Sequence, residues 1–184
     1  MGFLRHPALV VAAGTLLLAV AAVIAVVFFL GRSAPERPDT FEPWYPLVNE
    51  NGDPAVSYFA NHVPCSIDEP PATDCQRVKF AIVFYRDEST GEPTSYVISI
   101  IRVGVSDARE TLQGTWSTGQ GTGLDPDATT YRLESGAPEH LQNYWPVGED
   151  ILFLLDDDDM PRVGDAAYGF ALNSIPVGQT VTVP

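Results

Sequence analysis

The longest apolar run in the chain extends over residues 8–30 and contains no charged residue. As a helix that rises 1.5 Å per residue, it would span roughly 35 Å, which is enough to cross a hydrocarbon core of about 30 Å. The run is longer than the roughly 7–15 apolar residues of a cleaved signal peptide. This pattern predicts a single transmembrane anchor helix within residues 1–31.

Small residues recur in this run at spacings of three and four, which places them on one face of the predicted helix. They are Ala8, Ala12, Thr15, Ala19 and Ala22. Small residues let a neighbouring helix approach closely, and close packing holds helices together in lipid. The stripe predicts a helix-packing face, although the general abundance of alanine in such spans would produce it equally well.

Residues 32–46 contain four prolines, at positions 35, 38, 43 and 46. Prolines at this density exclude a helix and favour a semi-rigid, extended stalk. Three aromatic residues in this segment, Phe41, Trp44 and Tyr45, are unusually apolar for a linker. We therefore expect them to pack on the following domain or on a partner protein.

From residue 47 to residue 184, short apolar segments alternate with turns rich in Gly and Pro, which is typical of β-strands. The strands are predicted at residues 55–63, 77–85, 94–105, 129–135, 149–155, 165–173 and 177–183. The second and third of these form a hairpin around a turn at 87–93. Both are apolar almost throughout, so we expect them to be covered on both faces.

Three other segments of this domain lack a clear strand pattern. Residues 106–113 fit either a helix capped by Ser106 or a strand that continues to residue 117. The glycines in residues 114–128 predict a mobile loop, and residues 137–145 fit a short helix. About seven strands with so little helix predict a mainly β domain, either a β-sandwich or a barrel, outside the membrane.

The charge is concentrated after the predicted anchor. The chain has 24 acidic and ten basic residues, a net charge of −14, and every acidic residue lies beyond residue 35. Nucleic acid and anionic lipid headgroups would repel such a domain, whereas a basic protein would be attracted to it. We expect no nucleic-acid partner, and solubility or a saline habitat would explain the acidity equally well.

Cys65 and Cys75 are the only cysteines, and they bracket a short Pro-rich loop. A pair at this spacing predicts a disulfide, which persists in oxidising compartments; two unpaired buried thiols are the alternative. Together with an N-terminal anchor and one large acidic domain, it predicts a protein of a bacterial inner membrane. Its N-terminus would be cytoplasmic and its β domain periplasmic.

The only dense group of candidate metal ligands is a run of four carboxylates, Asp156, Asp157, Asp158 and Asp159. Ca²⁺ takes six to eight oxygen ligands, but the run lacks the spacing of an EF-hand, so a solvated turn is the alternative. The histidines are few, at 6, 62 and 140, and no nucleophile, phosphate-loop or dinucleotide motif is present. We predict no catalytic residue and no cofactor.

Aromatic residues are the more informative candidates, because Tyr and Trp concentrate at the centres of protein interfaces. Those in or beside predicted loops are Phe41, Trp44, Tyr45, Trp116, Tyr144 and Trp145. We predict that they are interface residues, with packing in the core as the alternative.

These features favour a non-catalytic, single-pass accessory subunit of a bacterial energy-transducing complex, either a photosynthetic reaction centre or a respiratory complex. Its helix would pack beside other integral membrane subunits. Its acidic domain would cap the periplasmic face and attract a basic electron carrier such as a c-type cytochrome. The alternative is a membrane-anchored envelope assembly or secretion factor that binds client proteins through its β domain.

Overall fold

The structure of the chain, a computed structural model, describes residues 40–41, 43–178 and 181–182. The predicted anchor at 8–30 lies outside these residues, as does its predicted packing face of Ala8, Ala12, Thr15, Ala19 and Ala22. Among the described residues, no helix is long and apolar enough to span a membrane.

Eight antiparallel strands follow one another in sequence order and close into a barrel. They are β2 (Ala55–Val63), β3 (Arg77–Arg86), β4 (Pro93–Val103), β5 (Glu110–Gln120), β6 (Thr129–Leu133), β7 (Asn143–Val147), β8 (Ile151–Leu154) and β9 (Ala171–Ser174). A separate two-stranded sheet pairs β1 (Thr40–Phe41) with β10 (Val181–Thr182). The prediction of a mainly β domain is confirmed, and the architecture is a barrel.

The number of paired residues between neighbouring strands varies around the barrel. The register between β3 and β4 runs from Arg77↔Val103 to Arg86↔Pro93, with one irregularity. By contrast, β9 closes on β2 only through Phe59↔Ser174 and Ala60↔Asn173. The β6–β7 junction is equally short. The barrel therefore consists of a long five-stranded part and a smaller three-stranded part.

The interior of the barrel is filled by large apolar side chains from alternating positions, as the two-residue period of a strand requires. In β3 and β4 these are Val78, Phe80, Ile82, Phe84, Tyr96, Ile98 and Ile100. A second cluster of Tyr45, Val83 and Tyr85 covers the outer face of β3. Every residue from Phe80 to Tyr85 is consequently buried, which confirms the expectation for this strand.

The described part of the predicted stalk also contributes to this outer cluster. Tyr45 is only 4 % exposed, and the hydroxyl of Tyr85 donates a hydrogen bond to the carbonyl oxygen of Pro46 at 2.7 Å. Tyr45 and Pro46 thus pack on the barrel wall, in line with the expectation that the aromatic residues of this segment contact the following domain.

Two further local predictions are wrong in part. Glu110–Gln120 forms β5 with Leu112 and Trp116 turned toward the interior, which agrees with the strand alternative for this segment and not with the helix, and the loop predicted at 114–128 begins only after Gln120. The glycines of β5 serve close packing: a Cβ at Gly114 would lie 2.1 Å from the carbonyl oxygen of Ser135. The short helix predicted at 137–145 is a single 3-10 turn, Glu139–Leu141, because β7 begins at Asn143.

Candidate functional site at the acidic end of the barrel

The loop between β2 and β3 caps one end of the barrel and is closed by a disulfide between Cys65 and Cys75. A 3-10 turn over Cys65–Ile67 directs Ile67 into the core, where it is 1 % exposed. Burial of this side chain and the covalent closure both restrict the loop. The loop therefore holds its polar residues in a fixed position above the barrel interior.

Arg102 ties this loop to the strands. Its Nε and Nη2 donate to the two carboxylate oxygens of Asp68, each at 2.6 Å, and its Nη1 donates to Glu110. This forked geometry is the strongest arrangement for an arginine and a carboxylate. The hydrogen bonds that Arg102 donates to Asp68, and to a lesser extent the one it donates to Glu110, raise the pKa of Arg102 above its ordinary value against the opposing effect of burial.

Arg162, from the connection between β8 and β9, is a second tie at this end. Its Nη2 donates to the carbonyl oxygen of Ser66 at 3.0 Å and lies 3.8 Å from a carboxylate oxygen of Glu69. Its guanidinium carbon stands 4.5 Å from the ring centroid of Phe170. Its Nη1 also donates to the carbonyl oxygen of His140, in the connection between β6 and β7. Arg162 therefore links the β2–β3, β6–β7 and β8–β9 connections.

The acidic run forms a turn in which one carboxylate serves the backbone. Oδ1 of Asp156 accepts hydrogen bonds from the amides of Asp158 at 3.0 Å and Met160 at 2.9 Å. Of the four candidate Ca²⁺ ligands Asp156, Asp157, Asp158 and Asp159, the first is therefore engaged by the turn itself. Among the described residues, no three His, Cys, Asp or Glu side chains are grouped closely enough to hold a metal ion.

Two cavities open between these connections, with volumes of about 360 and 150 Å³. His140 and Glu69 line both of them. The carboxylates that line one or both cavities define what we call the acidic end: Asp68, Glu69, Glu110, Glu139, Asp156 and Asp157. The basic side chains among them are Arg102 and Arg162, and these are already engaged by the contacts described above. The acidic end keeps an excess of negative charge.

For one residue of this site, Arg102, the sequence also carries a recognisable signal. Arg102 continues the inward-facing series of Ile98 and Ile100, so a charged side chain occupies a core-facing position at the end of a strand. Such a position predicts a paired arginine, because burying an unpaired charge is costly. No comparable signal marks Arg162, which lies in a loop.

Three of the six predicted interface aromatics are core residues instead. Tyr45, Trp116 and Tyr144 are each less than 5 % exposed, so they are not available to a partner. The indole of Trp116 donates to the carbonyl oxygen of Tyr85 at 3.0 Å, which satisfies its one polar atom inside the barrel.

The remaining three aromatic candidates have different environments. Trp44 is partly exposed on the outer wall, with its ring 6.2 Å from that of Tyr58. Trp145 is also partly exposed and lies 5.9 Å from the ring of Phe153 across the β7–β8 pair. The side chain of Phe41 lies outside the described residues. Trp44 and Trp145 stay candidates for contact with another molecule.

Comparison with models of protein families, with curated proteins and with solved structures found no match. The assignment of a function therefore depends on the charges, cavities and packing of the barrel itself.

Proposed function

We propose that this chain is a non-catalytic accessory subunit of a bacterial membrane energy-transducing complex, anchored by one N-terminal helix. In this proposal the barrel lies on the periplasmic face, and its acidic end attracts a basic electron carrier such as a c-type cytochrome. The observation that carries the proposal is the convergence of six carboxylates from separate connections at one end of the barrel.

The charge of the barrel as a whole acts in the same direction. Residues 43–178 contain 21 acidic and seven basic side chains, a net charge of −14. A field of one sign raises the association rate of an oppositely charged protein and depends steeply on ionic strength. Encounter would thus be fast in dilute salt and slower near 0.15 M, where the screening length is about 8 Å.

The barrel interior supports surface binding rather than transport of a ligand inside the fold. An eight-stranded barrel is either filled by its own side chains or holds one small ligand. Here Phe80, Phe84, Trp116 and Tyr144 belong to one continuous interior cluster. Closure of β2–β9 also leaves these strands without an open edge for a partner strand.

Membership of a complex is tested by purifying the tagged full chain in mild detergent and identifying what accompanies it. Recovery at a fixed ratio with haem- or chlorophyll-bearing subunits, seen by mass spectrometry and absorption, is the expected result. A chain recovered alone contradicts the proposal. Varied client proteins at variable ratios would instead favour an envelope assembly or secretion factor.

The role of the acidic end is tested with two variants that remove the same charge. Glu139→Gln with Asp157→Asn removes two of the six carboxylates of the acidic end, and neither side chain has a hydrogen bond within the described part of the chain. Glu88→Gln with Glu92→Gln removes two exposed carboxylates from the β3–β4 turn at the other end. We expect the first pair to slow association with a basic c-type cytochrome several-fold at low salt, and the second pair to change it little.

Equal slowing by both pairs would show that only the total charge matters, which would overturn a specific role for the acidic end. Absence of any salt dependence in the unchanged protein would overturn electrostatic attraction altogether.

A further inference from the structure

The outer face of the barrel carries a row of small side chains that crosses four strands. The register aligns Ala60 with Ala81, Ala81 with Ser99, and Ser99 with Thr111. Because the flanking rows and the packed N-terminal segment are bulkier, Ala60, Ala81 and Ser99 of this row form the floor of a cavity of about 340 Å³. We call it the outer groove, and its walls include Trp44, Tyr58, His62, Lys79 and Arg109.

The charge of the outer groove is opposite to that of the rest of the barrel. Lys79, Arg109 and His62 line it, and no Asp or Glu does so within the described part of the chain. Lys79 is the only lysine of a chain in which acidic residues outnumber basic ones by 24 to ten. By comparison, three or four carboxylates line each cavity of the acidic end.

Arg109 is held in position by uncharged partners. Its Nη1 donates to the hydroxyl of Ser99, which is 2 % exposed, and its guanidinium carbon lies 5.0 Å from the centroid of the Trp44 ring. The indole of Trp44 in turn donates to the hydroxyl of Tyr58 at 3.3 Å. These contacts orient the guanidinium without neutralising it.

The two cations of the groove also have no acidic partner within residues 43–178. The ion pairs among residues 43–178 involve Arg102 and Arg162, and neither Lys79 nor Arg109 pairs with a carboxylate there. The guanidinium of Arg109 and the ammonium of Lys79 therefore line the same cavity as the ring of Trp44 and can both interact with an anion there.

We infer that the outer groove binds a carboxylate attached to an apolar body, such as an aromatic or branched aliphatic acid. The carboxylate accepts hydrogen bonds from Arg109 and Lys79, which are stronger than those between neutral groups. The apolar body lies against Trp44 and the alanine floor, as in most small-ligand sites. Inorganic phosphate would leave this apolar lining unused, and the strand amides that could bind it are committed to the sheet.

The test uses the full chain in detergent micelles with ¹⁵N-labelled tryptophan, and phenylacetate as the probe. We expect phenylacetate to shift the indole resonance of Trp44 but not that of Trp145, with a dissociation constant that is roughly millimolar or tighter. Phenylacetamide, which has the same shape without the charge, and inorganic phosphate, which lacks the ring, should each bind at least about tenfold more weakly.

Two substitutions in the groove and one outside it separate a specific site from general attraction. Lys79→Gln and Arg109→Gln should each weaken phenylacetate binding about tenfold or more, since a hydrogen bond between two charged groups is stronger than one between neutral groups. Arg132→Gln, at an exposed position of β6, should leave the affinity unchanged. The side chain of Lys79 has no hydrogen bond within residues 43–178, so its variant carries the test even if Arg109→Gln disturbs the packing of Trp44.

Equal binding of phenylacetamide, equal weakening by Arg132→Gln, or no shift of the Trp44 indole at saturating probe would each overturn the inference. A shift caused by an Asp-rich peptide but not by phenylacetate would show that the groove takes a protein segment, and would overturn a small-acid site.

Discussion

Two buried tyrosines face the barrel interior but differ in what their hydroxyl groups contact. The hydroxyl of Tyr96 donates to the carbonyl oxygen of Ser135 at 2.5 Å. The hydroxyl of Tyr144 is buried and has no hydrogen-bond partner among the described residues. An unpaired buried hydroxyl opposes folding, whereas a paired one contributes a modest net stabilisation. The pair therefore permits a comparison of the same atom in two environments.

We predict that Tyr96→Phe lowers the free energy of unfolding by about 0.5–1.5 kcal/mol, because it removes a formed hydrogen bond. Tyr144→Phe should leave this free energy unchanged or raise it, because it removes an unsatisfied group from the core. Thermal unfolding of both variants, followed by circular dichroism, measures the difference. A larger loss for Tyr144→Phe would mean that its hydroxyl is paired.

The same burial changes the acid–base behaviour of the core. Removal from water raises the pKa of Tyr85 to about 12, with a smaller contribution from the neighbouring Tyr45. Burial alone raises the pKa of Tyr96 to about 12. Burial is the largest cause of the raised pKa of Tyr144 as well. In each case the neutral phenol is the form that fits the barrel.

These shifts predict loss of stability at alkaline pH. The unfolded chain releases the protons of Tyr85 and Tyr96 near pH 10, while the folded barrel retains them to about pH 12. Their contribution is fully present below pH 10 and decreases as the pH rises toward 12. Tyrosinate absorbance and circular dichroism, recorded together, should show late ionisation that coincides with unfolding. Complete ionisation near pH 10 with the fold intact would contradict this.

Among the connecting elements, the segment after β6 depends on glycine for its path. Gly136 has a φ of +79°, and a Cβ at this position would lie 1.9 Å from the carbonyl oxygen of Gln113 in β5. Gly52 also has a positive φ, +92°, but nothing lies within 4 Å of its Cβ position. Both glycines therefore adopt a positive φ, and they differ in the space available for a Cβ atom.

We predict that Gly136→Ala destabilises the barrel by roughly 1–3 kcal/mol more than Gly52→Ala does. Both substitutions strain a positive φ, but only the first forces β5 and the segment after β6 apart. The difference in melting temperature between the two variants measures the extra destabilisation caused by the steric clash at position 136. Equal melting temperatures would show that the segment after β6 moves away without cost.

The fold was largely predictable where hydrophobic patterning alone determines the structure. Residues 55–63 and 77–85 form strands almost at the predicted bounds, because both are rich in the β-branched and aromatic residues that favour strands. β5 was not recognised as a whole, because Gly114 and Gly119 resemble loop residues until the backbone that passes beside them is known. That information is tertiary and has no local signal.

The functional surfaces were less predictable, because they are assembled from distant segments. The acidity of the chain was evident, but the meeting of Glu69, Glu139 and Asp156 depends on which connections share an end of the barrel. The outer groove similarly needs the register that aligns Ala60, Ala81 and Ser99. Strand order fixes both surfaces, and strand order does not follow from composition.

The two short junctions of the barrel have a consequence for its motion. Among the described residues, the register pairs that connect β7, β8 and β9 to the remaining strands are Tyr131↔Tyr144 and Arg132↔Asn143 on one side, and the equally short β9–β2 pairing on the other. Few hydrogen bonds must break for these three strands to separate together, so local opening should occur there first.

Amide hydrogen exchange should therefore divide the barrel in two. We predict that the amides of β7–β9 exchange as a group and faster than those of β3, whose two ladders are the longest in the barrel. Uniform exchange across all eight strands would contradict this. The acidic turn and Arg162 lie on the connection between β8 and β9. Each opening would therefore briefly break the hydrogen bond from Arg162 to Ser66 in the disulfide loop. A partner bound across the acidic end would slow this exchange by holding the two parts together.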